Sequence, residues 1–461
     1  MRIRSHAASL IAASLLVAAG AGLAGTSVTA SSDKIEIGVS IAFTDYRLDW
    51  INAVAAEFEA NHPEYDIVVQ GFDDYESLLQ SVTLAAQQGD PPAIAQYFEV
   101  ATQEARDVVT DSGEPLFANV GEAVGDRTEI LGEPVVLDDI VSAAAEYYTI
   151  DGTFTSMPWN TSSTLFYANG SYLEAAGIAE TPETWADVEA ACEAIMALDD
   201  APTACITWPN HGWFFEQSIA QQGGLLANND NGRTARADEV FVGSDEMLSF
   251  VNYWKGLADK GYYTYTGTQR DWDGTLNAYA AQAVAFILTS SGDAAAVAGD
   301  SEEAGFETVV ARMPYNGDTP YVGNLIGGAT LWLVNGLDEE TSDGGLAFMQ
   351  FLNNPENAAD WHRTTGYIPI TNSAVTLLED EGWFETNPWA RVATDQLDAG
   401  DGSPASAGAL LGGFVQIRDI VTQAMEDVLV SDADPAERFA EAAEEAQTVL
   451  DDYNDLYVTE G

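Results

Sequence analysis

Positive charge is scarce in this 461-residue chain: Lys and Arg number 16 against 74 Asp and Glu, a formal net charge of −58. Only Lys34, Lys255 and Lys260 are lysines. Nucleic acid and anionic lipid both demand cations from a protein partner, so composition excludes both classes. Cysteine is limited to Cys192 and Cys205. The histidines, His6, His62, His211 and His362, share no metal-ligand spacing. The one Gly-x-Gly-x-x-Gly, Gly20-Ala-Gly-Leu-Ala-Gly25, falls in the Ala-rich apolar stretch near the start, and no Gly-Lys-Ser/Thr phosphate loop or Gly-x-Ser-x-Gly elbow occurs, which removes the common nucleotide and serine-hydrolase signatures. The run Asn229-Asp-Asn-Gly232 resembles part of a calcium loop, but Ala227 stands where its first carboxylate should be, so it reads as a polar loop.

What is present is a real core composition. Hydrophobic residues make up 46% and aromatic residues 10%, enough for about two to three domains. Residues 1–30 read as a secretory signal: Arg2 and Arg4 start it, an apolar stretch follows, and Val28-Thr-Ala30 offers small residues for cleavage. The remainder is expected to be an exported, soluble chain. In an oxidising compartment Cys192 and Cys205 would close a small loop between a helix end and the next strand; two buried thiols are the alternative. The acidic excess suggests adaptation to high salt, where carboxylates are screened and keep the surface hydrated; a generally acidic proteome would produce the same count.

Residues 35–40, 66–70 and 93–98 have strand character, and 47–61 and 75–88 have helical spacing, with a further helix near 101. Alternation of this kind implies a parallel sheet with crossover helices, whose ligands sit at the carboxyl ends of the strands. Residues 137–150, 184–198 and 244–260 read as helices. Residues 283–288 and 329–334 return to buried-strand character, and the tail from 338 is nearly all helical. Long Pro/Gly linkers are absent, so the chain passes more than once between its lobes.

Several segments suit an anion held by neutral donors. Asn160-Thr-Ser-Ser-Thr164 concentrates hydroxyls, and Thr289-Ser-Ser-Gly292 precedes a helical stretch whose first N–H groups are unpaired. Ile326-Gly-Gly328 bares its backbone. Each could equally be a cap or turn. Arg418 has Leu411, Phe414, Val421 and Met425 at helical spacing. A guanidinium on an apolar stripe needs a buried carboxylate or a cleft to face.

Taken together, Pro355-Glu-Asn-Ala-Ala-Asp-Trp-His362, Thr365-Gly-Tyr-Ile-Pro-Ile-Thr371, Ile326-Gly-Gly-Ala-Thr-Leu-Trp332 and Gln416-Ile-Arg418 resemble the extracellular solute-binding proteins of ABC importers, of the maltose-binding type, and within them the glycerol-3-phosphate binders. The resemblance spans residues 35 to about 453. It implies an α/β, two-lobe periplasmic binding protein fold with a hinge and an interlobe ligand cleft. The implied division is residues 31–155 plus 286–336 for the N-terminal lobe and 156–285 plus 337–461 for the C-terminal lobe. The implied ligand contacts are Tyr75, Glu99, Ser162, Trp213, Ser290, Gly328, Tyr367 and Arg418. In that scheme Arg418 pairs with phosphate oxygens, aided by Ser162, Ser290, Tyr367 and the Gly328 N–H, while Glu99 and Tyr75 meet glycerol hydroxyls. Trp213 matches one of two family tryptophans; Asn210 stands at the other, with Trp208 two residues away. That looser wall would admit a headgroup, as in glycerophosphocholine.

The implied partners are a small phosphorylated glycerol ligand and the transmembrane subunits of an ABC permease, met by a monomer in the periplasm. No catalytic residue, cofactor or metal is expected. An oligosaccharide held by the same fold is the nearer alternative, and an exported hydrolase using Glu99 with a second carboxylate is the more distant one. Arg418→Ala is expected to abolish binding with the fold largely intact. If the acidic surface is a salt adaptation, far-UV circular dichroism should show fold lost as NaCl falls from molar to millimolar; an unchanged spectrum rejects the adaptation.

Overall fold

The structure is a computed structural model that describes residues 34–110 and 112–457. The signal reading lies outside the described residues. In the first lobe, strand Ile35–Ile41 buries Ile37, Val39 and Ile41. It pairs in parallel with Tyr65–Gly71 on one side and Ile94–Phe98 on the other. The crossovers are helices Tyr46–Asn61 and Tyr75–Gln87. Both start where the sequence supplies a cap: Asp45 accepts from the Arg47 N–H and Asp74 from the Ser77 N–H. The first helix buries Ile51, Val54, Ala55 and Phe58 against the sheet.

Strand Gly327–Val334 then joins this sheet antiparallel, next to Ile94–Phe98, and also pairs with Phe117–Ala118 and Met157–Ser162. The second lobe has its own sheet, ordered Ala204–Thr207, Val284–Ser290, Thr164–Asn169, Thr308–Arg312. The expected division of the lobes differs from these pairings. Val284–Ser290 lies in the second sheet, paired to Thr164–Asn169, so residues from 286 to 312 leave the first lobe. Met157–Ser162 lies in the first. Helices Glu339–Leu352, Pro355–Thr365 and Asn372–Asp380 bury Leu346, Phe348, Trp361 and Leu378 in the first-lobe core. A strand buried on both faces carries no pattern saying which sheet it joins, and pairing alone decides. Residues 137–150 also differ from the expected single helix: a short 3-10 turn, Leu137–Asp139, precedes helix Ser142–Tyr148. Between them Val141 donates its N–H to Ile370 O, at 3.0 Å, which the helix could not allow. At residues 229–231 the chain makes one left-handed turn, with φ of 54°, 56° and 61°.

Three chain crossings join the lobes, and they meet at Ser163. Ser162 still pairs with Gly327 in the first sheet, while Thr164 pairs with Ser290 in the second. Ser163 is fully buried; its Oγ donates to Leu325 O at 3.2 Å and accepts from Gln396 Nε2 at 2.8 Å. Its backbone O accepts from the Ser291 N–H at 2.8 Å. The tail completes the second core with helices Phe414–Val430 and Pro435–Tyr457, which bury Ile417, Met425, Phe439 and Leu450. Among the described residues no helix is long and apolar enough to cross a membrane.

Cys192, on helix Trp185–Met196, and Cys205, on strand Ala204–Thr207, form a disulfide. The helix begins with a capping box in which Thr184 and Asp187 satisfy each other's backbone N–H. Under denaturing conditions without reductant, alkylation should add nothing to the intact mass, and two groups after reduction. Replacing both cysteines with Ala should lower unfolding stability by up to about 3 kcal/mol, the loop-closure value for a ring of this size.

Candidate functional site

The carboxyl ends of the first-lobe strands open onto a cleft between the lobes, a cavity of about 440 Å³. Its wall includes Tyr75, Glu99, Gly328 and Tyr367 from the first lobe, Ser290, Trp213 and Arg418 from the second, and Ser162 beside the crossing. The structure therefore brings together all eight residues singled out by the sequence. Tyr75 stacks on Phe98, with ring centroids 5.1 Å apart and planes at 5°. Its hydroxyl accepts from Asn160 Nδ2 at 2.9 Å, and Asn160 in turn accepts from Gln96 Nε2 at 2.9 Å. Tyr367 stacks on Trp361 at 5.6 Å. Burial pushes both phenols above their ordinary range, so both stay protonated.

The hydroxyls differ in availability. Ser290 Oγ accepts from the Gly292 N–H at 3.0 Å, capping the 3-10 turn before helix Ala294–Ala304. Ser162 is 2% exposed, and its Oγ has no hydrogen-bond partner among the described residues. Gly328 sits at φ 89°, and a Cβ there would lie 1.9 Å from Asn160 O, so no other residue fits. The crowding comes from the neighbouring strand, an origin the glycine pair alone did not suggest.

Arg418 lies on the wall, but its role departs from the one expected. Its Nε donates to Glu216 Oε1 at 2.7 Å, and its Nη2 donates to Glu216 Oε2 and Glu99 Oε1, both at 2.8 Å. Two carboxylates already hold this guanidinium, and only Nη1 is without one among the described residues. Gly212 lets the side chain through, since a Cβ there would meet Arg418 Cγ at 2.1 Å. Burial raises the Glu99 pKa above the ordinary carboxylate value, against the pull of Arg418. The pair of carboxylates keeps Arg418 charged despite burial, which opposes it.

Among the described residues four arginines form ion pairs from one lobe to the other: Arg418 to Glu99 at 2.8 Å, Arg270 to Glu76 at 2.8 Å, Arg236 to Asp107 at 2.6 Å and Arg47 to Asp293 at 3.9 Å. Arg270 also pairs with Asp419 and has φ 56°, a strained backbone for a non-glycine residue. Three of these arginines line the cavity, against seven carboxylates, so its wall is net acidic. Sequence reasoning missed Glu216, Arg47, Arg270, His211 and Trp272. Glu216 had a signal: it is the one acid in helix Gly212–Gln221, every residue of which is buried. Trp272 had none. It supplies the second tryptophan of the cleft, its ring 6.4 Å from Trp213, whereas Asn210 and Trp208 are buried away from the cavity. The wall at this end is built from a different segment and is not missing.

Arg418→Ala leaves two buried carboxylates without their cation. Removing one partner of such a pair costs about 3–5 kcal/mol, so denaturant unfolding should show the variant markedly destabilised as well as ligand-free. This revises the expectation of an intact fold. Wild-type stability in the variant would mean that the cleft hydrates the two acids at no cost.

Residues 53–391 match the family described as bacterial extracellular solute-binding protein. The chain is 32% identical to the sn-glycerol-3-phosphate-binding periplasmic protein UgpB of Yersinia pestis bv. Antiqua, over 84% of this chain and 85% of that one. It is 30% identical to the UgpB of Escherichia coli O1:K1, over 87% and 89%. Among solved structures, UgpB from Mycobacterium tuberculosis in complex with glycerophosphocholine superposes with a TM-score of 0.73 at 21% identity, covering 91% of this chain and 98% of that one. The GacH receptor of Streptomyces glaucescens, solved unliganded and with acarbose, gives 0.72 at 17% identity over 91% and 99%. The family match runs over more than two thirds of the chain and the relatives over more than four fifths of it, and the chain belongs to the bacterial extracellular solute-binding proteins.

Proposed function

We propose that this chain is the extracytoplasmic substrate-binding protein of an ABC importer, taking a glycerol phosphate ester and releasing it unchanged to the permease. The observation that carries the reading is convergence. Eight positions spread from residue 75 to residue 418 face one cavity, and the curated relatives of at least 30% identity are sn-glycerol-3-phosphate-binding proteins. The cavity volume of about 440 Å³ lies in the ordinary range for a small ligand. Hinged lobes closing on such a ligand give the open and closed forms that delivery requires.

Wall charge favours one ester over another. A phosphate monoester carries nearly two negative charges at neutral pH, and an acidic wall opposes it. A diester such as glycerophosphocholine carries one, balanced by its own ammonium. Trp213 and Trp272 offer ring faces to that cation. The phosphoryl group would lie against the free Ser162 hydroxyl, Ser290 and the Gly328 N–H, with Arg418 contributing through Nη1 alone.

Titration calorimetry of the mature chain with sn-glycerol-3-phosphate, glycerophosphocholine and maltose should give binding of the glycerol esters, tightest for the choline diester. Binding of maltose alone would overturn the ligand class. Turnover of either ester on incubation would overturn the transport role.

A further inference from the structure

We propose that His211 is a ligand-binding residue of this cleft, presenting its Nε2–H to an oxygen of the bound ester. The inference rests on the reading of the cleft as the ester site and adds a donor to it. His211 is the N-cap of helix Gly212–Gln221, in extended backbone at φ −149°, and its Nδ1 accepts from the Trp213 N–H at 3.2 Å. A neutral imidazole that accepts at Nδ1 carries its proton at Nε2. The helix start therefore sets the tautomer.

The ring is 8% exposed and lies on the cavity wall, with Trp272 against it at 5.5 Å. Among the described residues the only side-chain hydrogen bond of His211 is the one at Nδ1, which leaves Nε2 unpartnered on a residue of the cleft wall. In the ligand-free cleft water accepts from this donor, and a ligand that displaces the water must supply an oxygen in its place. Burial, then the nearby Arg418 and Arg270 charges, push the imidazole well below its ordinary titration range, and it stays neutral. It thus donates without needing a counter-ion, in a cleft whose principal cation is already committed to Glu216 and Glu99.

The chemistry of the acceptor follows. An N–H pairs with a phosphoryl or hydroxyl oxygen, so His211 takes the oxygen end of a zwitterionic ester while its ammonium rests against the tryptophan faces. A ligand without an oxygen at this point leaves the donor unpaired, which is how such a site discriminates.

His211→Asn separates capping from donation. Asparagine is a good N-cap, so its Oδ1 takes over the Trp213 N–H, while its short amide falls short of the Nε2 position. Calorimetry with glycerophosphocholine should show binding weakened about 10- to 100-fold, the range for losing a hydrogen bond to a charged acceptor, with the ligand-free melting temperature unchanged. Binding within twofold of wild type removes the role of His211 and leaves the ester reading standing. A wild-type chain that binds neither ester removes both. As a measurement independent of the variant, proton–nitrogen NMR of histidine-labelled wild type should show the His211 Nε2–H resonance shift downfield on adding glycerophosphocholine. A resonance that does not move overturns the proposal.

Discussion

One buried residue between two sheets governs the geometry of this molecule. Ser163 separates the last pair of the first sheet, Ser162 with Gly327, from the first pair of the second, Thr164 with Ser290. Its hydroxyl and backbone hold the other two crossings, through Leu325 and Gln396, and the turn at Ser291. With a single residue between ladders, the two sheets cannot drift along the chain. Ser162 and Ser290 are therefore delivered to the same cleft from opposite lobes, and Gly328 arrives beside them on the returning strand.

At the floor of the cleft the energetics centre on one guanidinium and two acids. A buried ion pair is weak evidence of stability, because desolvation offsets much of the attraction. Here burial, and to a lesser degree the second acid, works against the anions, and Glu99 holds its proton more tightly than an exposed carboxyl. Such a group binds a proton in the folded chain that it has already lost when unfolded. Its share of stability is complete below the ordinary glutamate value and is lost as pH rises through the raised one. An arrangement of this kind specifies where Arg418 points and does little to hold the fold together.

Local features could be read from the sequence where a short-range rule applies. The Asp45 and Asp74 caps, the buried face of helix Tyr46–Asn61 and the Thr184 capping box follow from neighbouring residues. The apolar stripe around Arg418 correctly demanded a partner or a cleft, and the structure supplies both. Long-range pairing could not be read in the same way. Val284–Ser290 is apolar on both faces and would suit either sheet, so its lobe was misplaced. Trp272 reaches the cleft as the first residue of helix Trp272–Ala280, capped by Asp271, and nothing in its spacing marks it. The site residues came from resemblance to a family, and physical pattern alone reached Arg418, Ser162, Ser290 and Gly328 only as members of suggestive segments.

The arginines that bridge the lobes set two different kinds of grip. Arg418 and Glu99 are largely buried at the cleft wall, whereas Arg270 with Glu76 and Arg236 with Asp107 stand nearer the solvent. Added salt therefore loosens the outer clasps more than the inner one. Four of the 16 cations in the chain bridge the lobes in this way, so ionic strength bears on how firmly the two halves hold together.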